Sequence, residues 1–192
     1  MAKTRTFIAV EVADEVRDRV ESLTAELGAR LTGVRWSSPE SLHYTLHFLG
    51  DLTDHEVAEV CQLTAEAAGR VARFALQSAG LGVFPSPEKP RTLWVGASDG
   101  GDALHQLRAE IDQQLQPLGF RGENRPYIPH LTIGKLARPT PAAAAAFAGA
   151  MAQLGTAEFG VTAVANVAVF SSQLLRHGPS YTRLARLPLA QA

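Results

Sequence analysis

The sequence predicts an α+β protein of bilobal form. Two largely antiparallel sheets with outer helices are expected, as a pseudo-two-fold duplication around a central groove. Three observations predict this. The triplet His-x-Thr occurs twice, as His43-Tyr44-Thr45 and His130-Leu131-Thr132, each in an apolar run of β-branched or aromatic residues that favours extended backbone. The order strand, helix, His-x-Thr strand, helix, strands is followed by helix, His-x-Thr strand, helix, strands. Neighbouring strands are separated by short Gly/Pro turns, which fits antiparallel pairing with helices packed outside.

In chain order, Thr6-Phe7-Ile8-Ala9-Val10-Glu11-Val12 reads as a first strand. Asp14 is placed to cap a helix whose apolar stripe is Val16, Val20, Leu23, Leu27 and Leu31, ending at Gly33. Val34-Arg35-Trp36 is a short extended segment broken by Pro39. The first His-x-Thr strand stops at Gly50. Thr53 and Glu56 form a capping box for a second helix, with Val57, Val60, Cys61, Thr64 and Ala68 as its stripe. Residues 73–78 alternate, with Phe74 and Leu76 on one face, and Gly80-Leu81-Gly82-Val83-Phe84-Pro85 reads as turn-rich. Thr92-Leu93-Trp94-Val95-Gly96 is apolar on both faces, the pattern of a central strand. Leu104, Leu107, Ile111, Leu115 and Leu118 mark a third helix, ending near Gly119 before a polar, cationic loop at 121–126. The second His-x-Thr strand comes next. Thr140-Pro141 opens an Ala-rich helix with Phe147, Met151 and Leu154 as its stripe. Residues 159–170 are a long β-rich run, and 181–187 a last strand. No Pro/Gly/Ser linker divides the chain, so residues 1–192 read as one two-lobed domain.

Bulk properties narrow the function. The 192 residues suffice for one domain with a sizeable core. The 46% apolar and 19% charged content is that of a globular protein, and a formal net charge of −1 excludes non-specific coating of nucleic acid. A nucleic-acid partner would need a local cationic patch. The lone Cys61 cannot form an internal disulfide, which suits a reducing cytoplasmic location, and it reads as a small apolar residue. Residues 1–12 carry Lys3 and Arg5 but only a short apolar run, so they read as neither signal peptide nor membrane span. A monomer with no membrane association is expected.

In a strand, side chains alternate faces, so His43 and Thr45 point one way while Tyr44 and Leu46 point the other. His130 and Thr132 likewise share a face, with Leu131 and Ile133 behind them. Six His and thirteen Thr give roughly 0.4 such triplets by composition alone, so the bare motif is weak and its context carries the signal. Read singly, each His could be a strand residue at a solvated edge. Paired, the two halves could face each other across a cleft.

With these strands 87 residues apart, the chain resembles the two-histidine (2H) phosphoesterase superfamily, and within it the RNA 2′,3′-cyclic phosphodiesterase or 2′-5′ RNA ligase family. The resemblance covers nearly the whole chain. It rests on Arg5-Thr6-Phe7-Ile8-Ala9, His43-Tyr44-Thr45-Leu46 with Phe48-Leu49-Gly50, and Gly82-Val83-Phe84-Pro85. It continues through Pro90-Arg91-Thr92-Leu93-Trp94, Pro129-His130-Leu131-Thr132-Ile133, Ser172-Gln173-Leu174 and Gly178-Pro179-Ser180-Tyr181. It implies the two motifs facing across a groove, with no metal and no cofactor. One departure is Lys135, where family members often carry Arg. Lys keeps the charge but lacks bidentate phosphate geometry, which implies looser phosphate binding.

The resemblance implies opening of an RNA 2′,3′-cyclic phosphate end to a 2′-phosphate. Water then needs a base and the leaving ribose oxygen an acid, and two imidazoles suit both tasks near neutrality. In-line displacement sets them on opposite sides of phosphorus. On this reading His43 is the proton donor to the 3′ oxygen and His130 the proton acceptor from water. Thr45 and Thr132 donate to the non-bridging oxygens. The reverse direction, with an RNA 5′-hydroxyl as nucleophile, is ATP-independent 2′-5′ ligation.

Around this centre, His47 is expected on the face of His43 and Thr45, lining the groove. Phe7, Phe48, Trp36 and Tyr127 could stack a base, each with core packing as its alternative. Arg35, Arg91, Arg121, Arg125 and Lys135 could hold RNA phosphates, Lys135 being best placed. Metal binding by His43 and His47 fails on geometry, since four strand residues span roughly 13 Å. Other readings are a phosphodiesterase for a small cyclic or 2′-5′-linked nucleotide, a non-catalytic RNA- or nucleotide-binding module, and a metal hydrolase.

Overall fold

The computed structural model describes residues 3–120, 126–175 and 178–191. Among these, nine strands and four helices follow one another as β1 (Thr4–Glu11), α1 (Asp14–Gly28), β2 (Val34–Trp36), β3 (His43–Leu52), α2 (Asp54–Ala68), β4 (Phe74–Phe84), β5 (Thr92–Ala97), α3 (Gly101–Leu115), β6 (His130–Leu136), α4 (Pro141–Leu154), β7 (Glu158–Val164), β8 (Asn166–Leu175) and β9 (Gly178–Pro188). The predicted α+β class holds. The strands run in the order β7-β4-β5-β6-β3-β1-β8-β9, with β2 beside β6, and all these pairs are antiparallel.

The two expected sheets are two halves of this one sheet, joined at a single residue pair. β1 and β3 pair at eight positions, with two register shifts along the way, but β3 meets β6 only where Tyr44 faces Leu131. The reason lies on one edge of β6. Beyond Leu131 that edge is taken by β2, with Trp36, Arg35 and Val34 facing Gly134, Lys135 and Leu136. β2 and β3 thus lie along the same edge of β6, and residues of both line the groove.

The helix stripes pack as their spacing predicts, except that α3 ends at Leu115 and Leu118, expected on its stripe, is exposed in the turn beyond it. Val16, Val20, Leu23 and Leu27 of α1, and Leu104, Leu107, Ile111 and Leu115 of α3, are all buried in the main core. A smaller apolar cluster, Phe7, Ala9, Ala168 and Phe170, forms on the opposite face of β1 and β8 and carries Tyr181 against it. Among the described residues no helix is long and apolar enough to cross a membrane.

Local signals fare unevenly. The capping box of α2 is present: the Glu56 carboxylate accepts from the Thr53 N–H at 2.7 Å, and the Thr53 hydroxyl accepts from the Glu56 N–H. Thr140 caps α4 by accepting from the Ala143 N–H at 3.1 Å. Asp14 does not cap α1. It lies inside the first turn and pairs with Arg17 at 2.7 Å, while the Ala13 N–H donates to Thr162 Oγ1 at 3.0 Å. The helix begins one residue earlier than a cap at Asp14 would set it, with Ala13 in the N-cap position. α1 stops at Gly28 rather than Gly33, which makes the turn into β2 at φ 77°. The expected turn at Gly80–Phe84 is strand. The register of β4 shifts between Ala79 and Leu81, and Gly80 takes the left-handed φ of 73° that the shift requires. The β-rich run at 159–170 divides at Ala165 into β7 and β8.

Candidate active site

Alternation along β3 and β6 sets the site. Tyr44, Leu46, Leu131 and Ile133 are buried behind the sheet, and His43, Thr45, His130 and Thr132 are half-buried on its other face. Those four line one groove of about 520 Å³ together with Arg5, Phe7, Arg35, Trp36, Lys135 and Tyr181. The structure therefore brings both triplets to one cleft.

The two imidazoles are held in the same way. His43 Nδ1 lies 2.7 Å from the Ser41 carbonyl oxygen, and His130 Nδ1 lies 2.9 Å from that of Ile128. Both partners stand two residues before the His. A carbonyl oxygen only accepts, so each Nδ1 carries the proton, and Nε2 becomes the atom that gains or loses one. This doubled offset extends the duplication beyond the triplet.

Aromatic rings wall both imidazoles. His43 lies with ring centroids 4.9 Å from Phe7 and 5.2 Å from the edge-on Tyr181. His130 meets Phe84 edge-on at 5.0 Å, with Trp94 behind at 6.5 Å. Burial pushes the His43 imidazole down to about 4. The His130 and Lys135 charges push the same way, against the Ser41 carbonyl and the Glu11 carboxylate. His43 is therefore neutral at pH 7.

The groove concentrates positive charge in a chain of net charge −1. Arg5, Arg35 and Lys135 line it, and Arg35 faces Lys135 directly across the β2–β6 pair. Like charges so placed repel unless an anion lies between them. Among the described residues its lining holds no carboxylate. Among the described residues, too, no group of three or more His, Cys, Asp or Glu is placed to hold a metal ion.

Other expected site residues are distributed differently. Phe48 is 60% exposed at the rim, whereas Phe7 is 2% exposed and forms the floor under His43. Trp36 lines the groove and packs over Gly134, where any Cβ would come within 2.9 Å of its ring. Tyr127 is not a platform in this groove. Its hydroxyl donates to the Thr45 carbonyl at 3.0 Å, its ring carries the Arg108 guanidinium at 4.4 Å, and it lines an adjoining cavity. Arg91 is exposed and outside the groove lining, its N–H donating to the Phe84 carbonyl at 2.7 Å. Arg121 and Arg125 lie outside the described residues.

His47 corrects the strand-face expectation. Ala9 faces Thr45, but Ile8 faces His47, so Leu46 is one residue too many on β3. This bulge turns His47 away from the face of Thr45. It is 7% exposed, with Nε2 3.2 Å from Asp112 Oδ1 on α3.

Sequence reading gave no role to Arg5, Tyr181, Phe84 or the carbonyls of Ser41 and Ile128. Arg5 was findable, since it stands two residues before Phe7 on a strand. Tyr181 was not, because only the β8–β9 pairing brings it beneath His43.

Comparison with known proteins adds independent findings. Residues 12–168 match the model of the 2′-5′ RNA ligase superfamily. The chain is 31% identical to an RNA 2′,3′-cyclic phosphodiesterase of Aquifex aeolicus over 95% of each chain. It is 32% identical to one of Archaeoglobus fulgidus over 94% of this chain and 97% of the other. Among solved structures, a Thermus thermophilus protein, TT0787, superimposes with a TM-score of 0.77 at 27% identity over 97% of this chain and 98% of that one. The fold also matches that of E. coli LigT, with a TM-score of 0.75 at 23% identity over the full length of both.

Proposed function

The chain belongs to the 2′-5′ RNA ligase superfamily, and from that premise we propose that it opens RNA 2′,3′-cyclic phosphate ends to 2′-phosphomonoesters by a two-histidine acid/base mechanism. The observation that carries this is the matched pair of imidazoles. Each is fixed through Nδ1 to a carbonyl, and the two stand on opposite halves of the sheet above a cationic groove. The phosphate lies between Thr45 and Thr132, whose hydroxyls donate to the non-bridging oxygens as charge grows there. Lys135 and Arg35 neutralise its charge. His130 takes a proton from water as the new P–O bond forms. His43 gives its proton to the 3′ oxygen as that bond breaks. The product keeps its phosphate on the 2′ oxygen. The curated relatives, named RNA 2′,3′-cyclic phosphodiesterases, support this substrate.

The test is incubation in EDTA with a short RNA ending in a 2′,3′-cyclic phosphate. A 2′-phosphate product is expected. A 3′-phosphate would reverse which oxygen leaves and overturn the assignment of His43. Turnover of a cyclic mononucleotide with none of RNA would move the substrate to small nucleotides.

As the acid, His43 must carry a proton, yet burial holds it down at about 4. A bound phosphodiester places negative charge beside it, favours the imidazolium and raises that value. Anion binding at pH 6 is thus expected to take up a fraction of one proton. Calorimetric titration with sulfate, which does not itself titrate there, in buffers of different ionisation enthalpy measures it. Uptake should fall in His43→Asn. Binding without uptake in the wild-type protein would remove His43 from the anion's reach.

A further inference from the structure

A second cavity, of about 560 Å³, adjoins the groove on the side of α3. It shares Thr45, Phe48, Phe84 and His130 with the groove, and His43 is in the lining of the groove alone. Its own walls include Leu46, His47, Pro126, Tyr127 and Ile128, with Arg108, which stacks on Tyr127 and pairs with Asp112 at 3.5 Å, as the guanidinium. Two of the large apolar side chains exposed on this protein, Phe48 at 60% and Ile128 at 46%, stand on this wall. Its volume falls in the usual range for small-molecule sites, and its make-up, flat apolar surfaces with a guanidinium, fits a nucleobase.

The position of the cavity decides its occupant. In an in-line displacement the attacking oxygen and the leaving oxygen stand on opposite sides of phosphorus. On the function proposed above, on which this rests, His43 serves the leaving 3′ oxygen and His130 the attacking one. A space that opens on His130 and not on His43 is therefore on the attacking side. Hydrolysis needs room there for one water only. We propose that the cavity binds the nucleoside whose 5′-hydroxyl attacks in the ligation direction, and so selects a nucleoside over other alcohols. The step balances. The 5′ oxygen bonds to phosphorus and gives its proton to His130 Nε2. The bond from phosphorus to the 3′ oxygen breaks, and that oxygen takes a proton from His43 Nε2. The product is a 2′-5′ phosphodiester with a free 3′-hydroxyl, and no other reactant is needed.

The experiment uses adenosine 2′,3′-cyclic phosphate as donor, which has no upstream nucleotide, and free adenosine as acceptor. Formation of 2′-5′-linked adduct should saturate with adenosine and be suppressed competitively by 5′-deoxyadenosine. Ethanol adduct should rise linearly with concentration. In Pro126→Trp the ring would fill the cavity from its rim, at a residue outside the pairing that holds His130. The ratio of hydrolysis product to adenosine adduct should then rise at least tenfold. Loss of both products in equal proportion would make Pro126 merely structural and overturn the inference. Hydrolysis without saturable adduct would also overturn it. So would a Pro126→Trp effect seen only as a raised KM for a dinucleotide cyclic phosphate, which would place the upstream nucleotide in the cavity. No hydrolysis by the wild-type protein would instead overturn the function on which the inference rests.

Discussion

His43→Asn and His130→Asn are each expected to lower kcat for the RNA 2′,3′-cyclic phosphate by roughly 10²–10⁴-fold, the range of one acid or base in a transition state. Asn keeps a polar group of similar reach, so the carbonyls of Ser41 and Ile128 retain a donor and the fold is spared. The double variant should fall little below the worse single one, because an acid without its base does not complete the displacement. Thr45→Val and Thr132→Val are expected to cost less, about 10²-fold or below, since each removes one donor and leaves both proton transfers intact. Single-turnover rates with a short RNA separate these effects from product release. A His variant with wild-type turnover would remove that residue from the chemistry. Double-variant losses that multiply would make the two imidazoles independent rather than partners across one phosphorus.

What the sequence disclosed of this site is what depends on a residue's own strand. Alternation placed His43 with Thr45 and His130 with Thr132, and burial of Tyr44 and Leu131 follows from the same period of two. The capping box at Thr53 and the stripes of α1 and α3 are also local signals. The failures are all settled by a partner distant in the chain. His47 stands two residues from Thr45 and would share its face but for the bulge at Leu46, and that bulge exists only in the pairing of β3 with β1. Tyr127 has the flat ring of a base platform, yet its hydroxyl is committed to the Thr45 carbonyl. Joining of the two halves into one sheet was also hidden, because one residue pair leaves no periodic trace.

That one pair carries the last and largest structural expectation. Tyr44 is fully buried, and its side chain crosses from β3 to the other half of the sheet. Its hydroxyl donates to the Gly96 carbonyl on β5 at 2.8 Å and lies 2.9 Å from the Ser78 hydroxyl on β4, which can donate to it. Burial raises the phenol to about 12, so it stays a neutral donor throughout the working pH range. Tyr44→Phe strips two buried groups of their partner and is expected to cost about 1–3 kcal/mol. At 2–4 °C per kcal/mol for a chain of this size, Tm should fall by roughly 2–12 °C. Tyr44→Ala adds a cavity at the joint and should cost about 3–5 kcal/mol. Thermal unfolding measures both. The consequence for activity follows from what the joint aligns. His43 and Thr45 sit on one half, His130 and Thr132 on the other, and only their mutual position makes an in-line site. Tyr44→Phe is therefore expected to lower kcat about tenfold while leaving KM nearly unchanged, since the cationic wall of Arg35 and Lys135 lies on β2 and β6, away from the altered contact. A Tm drop with kcat intact would show that the hydroxyl holds the core but not the alignment. An unchanged Tm would show that the Leu131 contact suffices to join the halves.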